Sequence, residues 1–199
     1  SATEELALVP TPEMATIEEV AGYLRKPHNA TCKAVVYQRN ADDSYVIAFV
    51  RGDLEVHETK LRNTIGAEIH PAVITPESGI VAGFIGPKGL DTKKITVLFD
   101  RSLEGIGALV CGANQQDYHY TGFNIERDYG KVSYVDVARA IPGGICPVCG
   151  KPQLTISNGI EVGNIFQLGD KYTKSMNMQY LDENGTLQYP IMGCYGIGV

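Results

Sequence analysis

The sequence has no apolar run long enough to cross a bilayer. Its longest glycine-containing apolar stretch, Ile80 to Gly86, is about seven residues, against about 20 for a spanning helix. It has no surplus of positive charge either. Its 17 basic residues face 23 acidic ones, for a net charge of -6. A chain of that sign does not hold nucleic acid by broad phosphate neutralisation, so any such contact must be local or supplied by other parts of a larger protein. The opening Ser1-Ala-Thr-Glu-Glu-Leu6 has no basic region, no long apolar core and no initiator Met. No secretory signal or membrane association is expected, and the chain reads as a processed or excised piece. Five cysteines, two of them (Cys32 and Cys111) in apolar strand-like stretches, read as reduced thiols of a cytoplasmic protein rather than a disulfide frame.

Common catalytic signatures are also missing. There is no Gly-x-Ser-x-Gly elbow and no His-Glu-x-x-His, so a serine hydrolase or a zinc peptidase has no support. The loop Gly83-Phe-Ile-Gly-Pro-Lys-Gly89 cannot be threaded as Gly-x-x-x-x-Gly-Lys-[Ser/Thr], and Gly105-x-Gly107 lacks the third glycine of a dinucleotide fingerprint. Cys146-Pro-Val-Cys149 is a zinc-type knuckle, but structural zinc takes four ligands and no second Cys-x-x-Cys or His-x-x-x-His exists. The expectation there is a tight turn without metal; a small zinc module is the alternative.

What is present is a globular pattern, 44% hydrophobic and 20% charged, which excludes a disordered acidic tail or a coiled coil. Residues 1–15 are Pro-rich and irregular in pattern, and read as a linker or an entering arm without regular structure. Thr16 and Glu19 form a capping box before an apolar stripe of Ile17, Val20, Ala21 and Leu24. Ala34–Gln38 and Tyr45–Val50 read as a hairpin around the turn-like Asn40–Ser44. His57–Ile65 reads as a helix stopped by Gly66, and Ala72–Ile74 as a short strand. Ile95–Phe99 and Ala108–Cys111 are strongly strand-like; Gly122–Arg127 and Lys131–Val137 are weaker. The character changes near Ile141, where a turn-rich joint leads to small-residue strand-like segments at Ile160–Leu168 and Gly193–Val199. The expected fold is α/β of the α+β type, a mixed and largely antiparallel sheet with peripheral helices. The expected division is an arm at 1–15, a domain at 16–145, and a joint with part of a second domain at 146–199.

Three polar residues stand beside strands: Lys33 before Ala-Val-Val-Tyr, Asp100 after Ile-Thr-Val-Leu-Phe, and His119 in Asp117-Tyr-His-Tyr. The Gly-Pro loop at 83–89 offers backbone amides that can face a phosphate or a carbonyl. Taken singly, each of these features is more often structural than functional.

Taken together, several strings resemble one family, the bacterial-type prolyl-tRNA synthetases. They are Thr3-Glu-Glu-Leu-Ala-Leu8, Val50-Arg-Gly-Asp53, Asp100-Arg-Ser102, Gly112-Ala-Asn114 with His119-Tyr120, Gly159 to Gly169, and Met192-Gly-Cys-Tyr-Gly-Ile-Gly-Val199. The resemblance covers essentially the whole chain. It implies that residues from about 10 to 145 are the inserted editing domain, of the fold of free-standing YbaK-type deacylases. Residues 159–199 resemble strands of the class II catalytic domain.

The resemblance implies an aminoacyl-tRNA deacylase that removes alanine from mischarged Ala-tRNA(Pro). A pocket shaped for proline cannot strongly exclude the smaller alanine, because a missing methylene is worth only about 1–3 kcal/mol, and a second, hydrolytic site removes the error. By resemblance Lys33, His119 and Asp100 are the catalytic residues, Gly83, Gly86 and Pro87 bind substrate, and no metal takes part. Editing then needs no cofactor. ATP and magnesium serve only the parent synthetase, whose ATP-holding arginines do not occur in these segments, so the chain is not expected to activate proline. The implied partners are the acylated 3′ end of tRNA(Pro) and the remaining domains of a homodimeric parent, the chain itself being monomeric. A catalytically inert tRNA-binding or spacer module is the alternative.

Overall fold

The computed structural model describes residues 4–146 and 149–198. The chain divides into two compact units, the first ending at Leu154 and the second beginning at Thr155. The first opens with β1 (Ala7–Pro10) and α1 (Ile17–Tyr23). At the start of α1 the Thr16 hydroxyl accepts the Glu19 amide and the Glu19 carboxylate accepts the Thr16 amide, the capping box written in the sequence. The predicted hairpin is present as β2 (Cys32–Arg39) and β3 (Tyr45–Arg51), each extending a residue or two beyond the predicted bounds. α2 (Glu58–Ile65) is capped by His57 and ends at Gly66, which takes the left-handed conformation with φ 64. β4 (Ile69–Pro71), β5 (Ile95–Asp100), β6 (Leu109–Gly112), β7 (Tyr118–Phe123), α3 (Ile125–Asp128) and β8 (Tyr134–Val135) complete the unit.

Five strands form one sheet in the order β4-β2-β3-β5-β8. β2 pairs antiparallel with β3 and β4, whereas β3–β5 and β5–β8 are parallel. The sheet is therefore mixed, as expected. β3 lies at its centre, and Val46 to Val50 are all fully buried, because a strand covered on both faces is apolar on both. Ile47 and Phe49 face one core, where Phe49 stacks on Phe99 at 5.3 Å and Phe99 meets Tyr129 edge-on at 4.9 Å. Val46, Ala48 and Val50 face the other, against Leu61 of α2 and Val137. Each fully buried large side chain contributes about 1.5–3 kcal/mol.

A second, antiparallel sheet runs β1-β7-β6. It corrects the reading of residues 1–15 as an arm without regular structure. β1 is only 4 residues long and its partner lies more than a hundred positions along the chain, so no local pattern announces it. Pro10 is tolerated because β1 is an edge strand, where a missing N–H costs no ladder bond. Three further predicted segments move. The short strand is at 69–71, not 72–74. The strand predicted at 122–127 ends at Phe123, because the Asn124 side chain accepts the Arg127 amide and starts α3. Of Lys131–Val137 only Tyr134–Val135 pairs.

In the unit from Thr155, β9 (Gly163–Gly169) pairs antiparallel with β12 (Met192–Ile197). Between them lie α4 (Lys171–Ser175), β10 (Tyr180–Leu181) and β11 (Leu187–Gln188), the last two forming a small hairpin. The buried Thr173 hydroxyl ties α4 to the Asp170 and Pro190 carbonyls. The Cys146–Cys149 knuckle lies in the first unit, with Pro147 and Val148 outside the described residues. Among the described residues no helix is long and apolar enough to cross a membrane, and no group of three or more His, Cys, Asp or Glu side chains is placed to hold a metal ion.

Candidate active site

β4 covers β2 only at Tyr37–Arg39. Among the described residues the outer edge of β2 has no strand partner along its first half, and the second sheet approaches there through the bridge of Thr31 to Val110. The gap left between the two sheets is a cavity of about 550 Å³, within the range of small-ligand sites. Lys33 and Cys32 come from β2, Val110 to Gly112 from β6, His119 from β7, and Gly83 and Ile85 from the glycine loop. The start of α1 closes one wall with Ile17 and Val20, and His28, Asp53 and Glu55 also line it.

Lys33 stands opposite Val50 in the β2–β3 ladder. Its side chain is only 20% exposed, and Nζ lies 2.5 Å from the Glu55 carboxylate, which is itself 72% exposed. An ion pair with one partner this wet contributes little to stability. It does hold a compact cation at the cavity. His119 pairs with Val9 of β1 and Gly112 of β6 and is 6% exposed. Its Nδ1 lies 2.6 Å from Oγ1 of the fully buried Thr11, and the Phe84 ring packs on it at 5.4 Å. Burial pushes the imidazole down to a pKa of about 4, so it is neutral at pH 7.

The glycine loop is fastened to β6 by backbone contact. A Cβ on Gly86 would lie 1.6 Å from the Gly112 carbonyl oxygen, and one on Gly112 would lie 2.2 Å from that of Phe84. Only glycine permits this approach from both sides. Asn114 completes the fastening. Its Oδ1 accepts the Gly86 amide at 3.0 Å, and its Nδ2 donates to the carbonyls of Gly86 and Lys88 at 2.7 and 2.8 Å. Its φ of 53 is a conformation that Asn tolerates better than most residues.

The predicted site residues therefore separate. Lys33, His119 and Gly83 meet at the cavity. Gly86 and Pro87 are not among its lining residues; the Gly86 amide is spent on Asn114 and Pro87 has none, so neither can offer an N–H to a substrate carbonyl. Asp100 is also elsewhere. At 2% exposure its carboxylate accepts the amides of Ser102, Val137 and Ala138 at 2.8, 2.7 and 2.8 Å. Its job is to join the end of β5 to the segment after β8, which corrects its assignment to the pocket.

No lining group is poised as a nucleophile. Burial holds the Cys32 and Cys111 thiols well above their ordinary range, so they stay protonated and inert. The Thr31 hydroxyl donates to the His28 carbonyl and the Thr16 hydroxyl caps α1. A reaction here falls to a molecule brought in, such as water. Thr11, Asn114 and Glu55 are site residues that single-residue reasoning missed. Of these only Asn114 lies within a family-like string, Gly112-Ala-Asn114; Thr11, between two prolines, carries no signal.

Residues 11–127, more than half of the chain, match the model of the aminoacyl-tRNA editing domain family. The chain belongs to that family. Every residue that lines the cavity falls inside the match. The editing-domain chain is 42% identical over 200 residues to a proline–tRNA ligase of Fusobacterium nucleatum, covering 98% of this chain and 35% of that protein. A proline–tRNA ligase of Thermotoga maritima is 40% identical over 198 residues, with 98% and 33% covered. The chain thus spans about a third of the length of the curated relatives it matches. Among solved structures, a candidate trans-editing enzyme for prolyl-tRNA synthetase superposes with a TM-score of 0.56 at 17% identity, covering 68% of this chain and 87% of that one. A hypothetical protein gives 0.58 at 18%, with 68% and 92% covered. At such identities the likeness concerns the fold, which is the YbaK-like one expected.

Proposed function

We propose that this editing domain hydrolyses the ester of alanine mischarged onto tRNA(Pro) and does not itself activate proline. The observation that carries the reading is the composition of the cavity: the Lys33 ammonium, the buried neutral imidazole of His119, a lining that mixes apolar side chains with His28, Asp53 and Glu55, and no activated nucleophile, all within the family match. Such a site suits an incoming ester and a water molecule. Water adds to the ester carbonyl carbon, the bond from that carbon to the ribose oxygen breaks, and the proton shed by water ends on that oxygen. Free alanine and intact tRNA result.

Lys33 holds the substrate. Its ammonium can leave the exposed Glu55 for the phosphate of the terminal adenosine, and so place the ester beside His119. His119 is too weakly basic at about pKa 4 to be an efficient base at pH 7. The neighbouring ribose hydroxyl of the substrate is left to position the water. We assign the choice of alanine over proline to the apolar side chains of Ile17, Val20 and Val110, which line the cavity. Proline activation belongs to those parts of the longer relatives that this chain does not span.

The test is deacylation of Ala-tRNA(Pro) by wild type, Lys33→Ala, Lys33→Arg and His119→Ala. Both Lys33 variants should lose turnover, since a planar guanidinium does not replace a compact ammonium. His119→Ala should lower the rate by less, or relax the choice of amino acid. Undiminished activity in Lys33→Ala would remove Lys33 from the mechanism, and an inactive wild type would favour an inert module.

A further inference from the structure

We propose that Thr11 is a positioning residue that holds His119 as the neutral Nε2–H tautomer, so that the imidazole presents a hydrogen-bond donor, and not a base, to the cavity. The strand register fixes where Thr11 lies. Val9 stands opposite His119 and Pro10 opposite Tyr118. One residue on, the Thr11 amide donates to the Asp117 carbonyl at 2.8 Å, which carries Thr11 past the end of β1 with its hydroxyl at Nδ1 of the His119 ring. The side chain is completely buried, and Oγ1 sits 2.6 Å from Nδ1.

That bond can carry its hydrogen in two ways. If Nδ1 held the proton it would donate to Oγ1, and the hydroxyl hydrogen of Thr11 would need an acceptor of its own. Among the described residues Oγ1 has no hydrogen-bond partner except Nδ1. A buried hydroxyl left without an acceptor is unfavourable. If the hydroxyl donates to Nδ1, both groups are satisfied and the single proton of the neutral ring lies on Nε2. The same reasoning disfavours imidazolium, in which Nδ1 again becomes a donor facing a hydroxyl with nowhere else to turn. Desolvation acts in the same direction, lowering the pKa to about 4. The Phe84 ring at 5.4 Å leaves the imidazole little freedom to turn over.

Nε2 makes no hydrogen bond to protein among the described residues, and His119 lines the cavity. A fixed Nε2–H there suits the ester carbonyl oxygen and the negative charge that gathers on it as water adds. This consequence rests on the proposed deacylation; the tautomer does not.

Nitrogen-15 NMR of the full chain at neutral pH reads the tautomer directly. Wild type and Thr11→Ser, which keeps the hydroxyl, should show the Nε2–H pattern. Thr11→Val, which keeps the shape and removes the hydroxyl, should show mixed tautomers, and its Ala-tRNA(Pro) deacylation should fall about tenfold, the worth of one well-placed hydrogen bond. Thr11→Ser should restore most of that loss. A wild-type His119 in the Nδ1–H form would overturn the proposal, as would a Thr11→Val chain with unchanged tautomer and rate. Should Thr11→Val fail to fold, the wild-type spectrum decides alone. An Nε2–H spectrum from a chain that hydrolyses no Ala-tRNA(Pro) would uphold the tautomer and overturn the deacylation instead.

Discussion

Replacing Asp100 by Ala separates a structural from a catalytic carboxylate. The side chain is 2% exposed and receives three amides, from Ser102, Val137 and Ala138, none longer than 2.8 Å. Truncation leaves these donors without an acceptor. An unsatisfied buried donor costs about 1–3 kcal/mol, and the Val137 amide has no route to water without local opening. Counting the buried Val137 donor fully and the half-buried Ser102 and Ala138 amides partly, the loss is on the order of 2–5 kcal/mol, a large share of ordinary domain stability. For a chain of this size that corresponds to a fall in Tm on the order of 10 °C. Asp100→Asn keeps one acceptor oxygen and should fall in between. Thermal unfolding followed by circular dichroism reads the effect. The reasoning is refuted if Asp100→Ala melts within about 2 °C of wild type yet is inactive on Ala-tRNA(Pro), for that would make Asp100 a catalytic group.

Gly86→Ala should destabilise by about 3 kcal/mol in urea unfolding, since its Cβ would meet the Gly112 carbonyl at 1.6 Å. Gly107→Ala, which has open space around it, should change stability by less than about 0.5 kcal/mol; equal effects would remove the close approach as the cause. The depressed pKa of His119 makes stability pH-dependent. Between its folded value of about 4 and the ordinary value of about 6.5 the unfolded chain binds more protons. His119 therefore contributes stability that is present above about pH 6.5 and is lost as pH falls towards 4, up to about 3 kcal/mol in all. Tm measured from pH 7 to pH 4 should fall more steeply for wild type than for His119→Gln, and parallel curves would contradict the burial argument. Lys33→Ala should shift Tm by no more than about 2 °C while turnover is lost, because its partner Glu55 is 72% exposed; a large drop in Tm would assign Lys33 to the fold.

The elements legible in the sequence were those whose cause is local. The Thr16–Glu19 capping box, the Gly66 stop and the β2–β3 hairpin depend on residues within a few positions of each other, and all stand where the pattern puts them. β1 was illegible because its hydrogen bonds go to β7, and four residues ending in proline do not alternate long enough to signal a strand. The site divides in the same way. Lys33 and His119 were named by resemblance and meet at one cavity. Asp100 was named on the same grounds, but a carboxylate at a strand end looks the same in sequence whether it faces a ligand or three amides. Thr11 has meaning only through His119, a partner that the fold and not the local sequence brings to it. Asn114 owes its importance to carbonyls 26 and 28 positions away.

The central claim is selective hydrolysis, and single-turnover deacylation of Ala-tRNA(Pro) beside Pro-tRNA(Pro) by the wild-type chain tests it most directly. Alanine should be released faster than in buffer alone, slowly because only the 3′ end is held, and prolyl ester should survive at its spontaneous rate. Equal release of both amino acids would contradict selection by size at the cavity, and release of neither, even at high chain concentration, would contradict the deacylase itself.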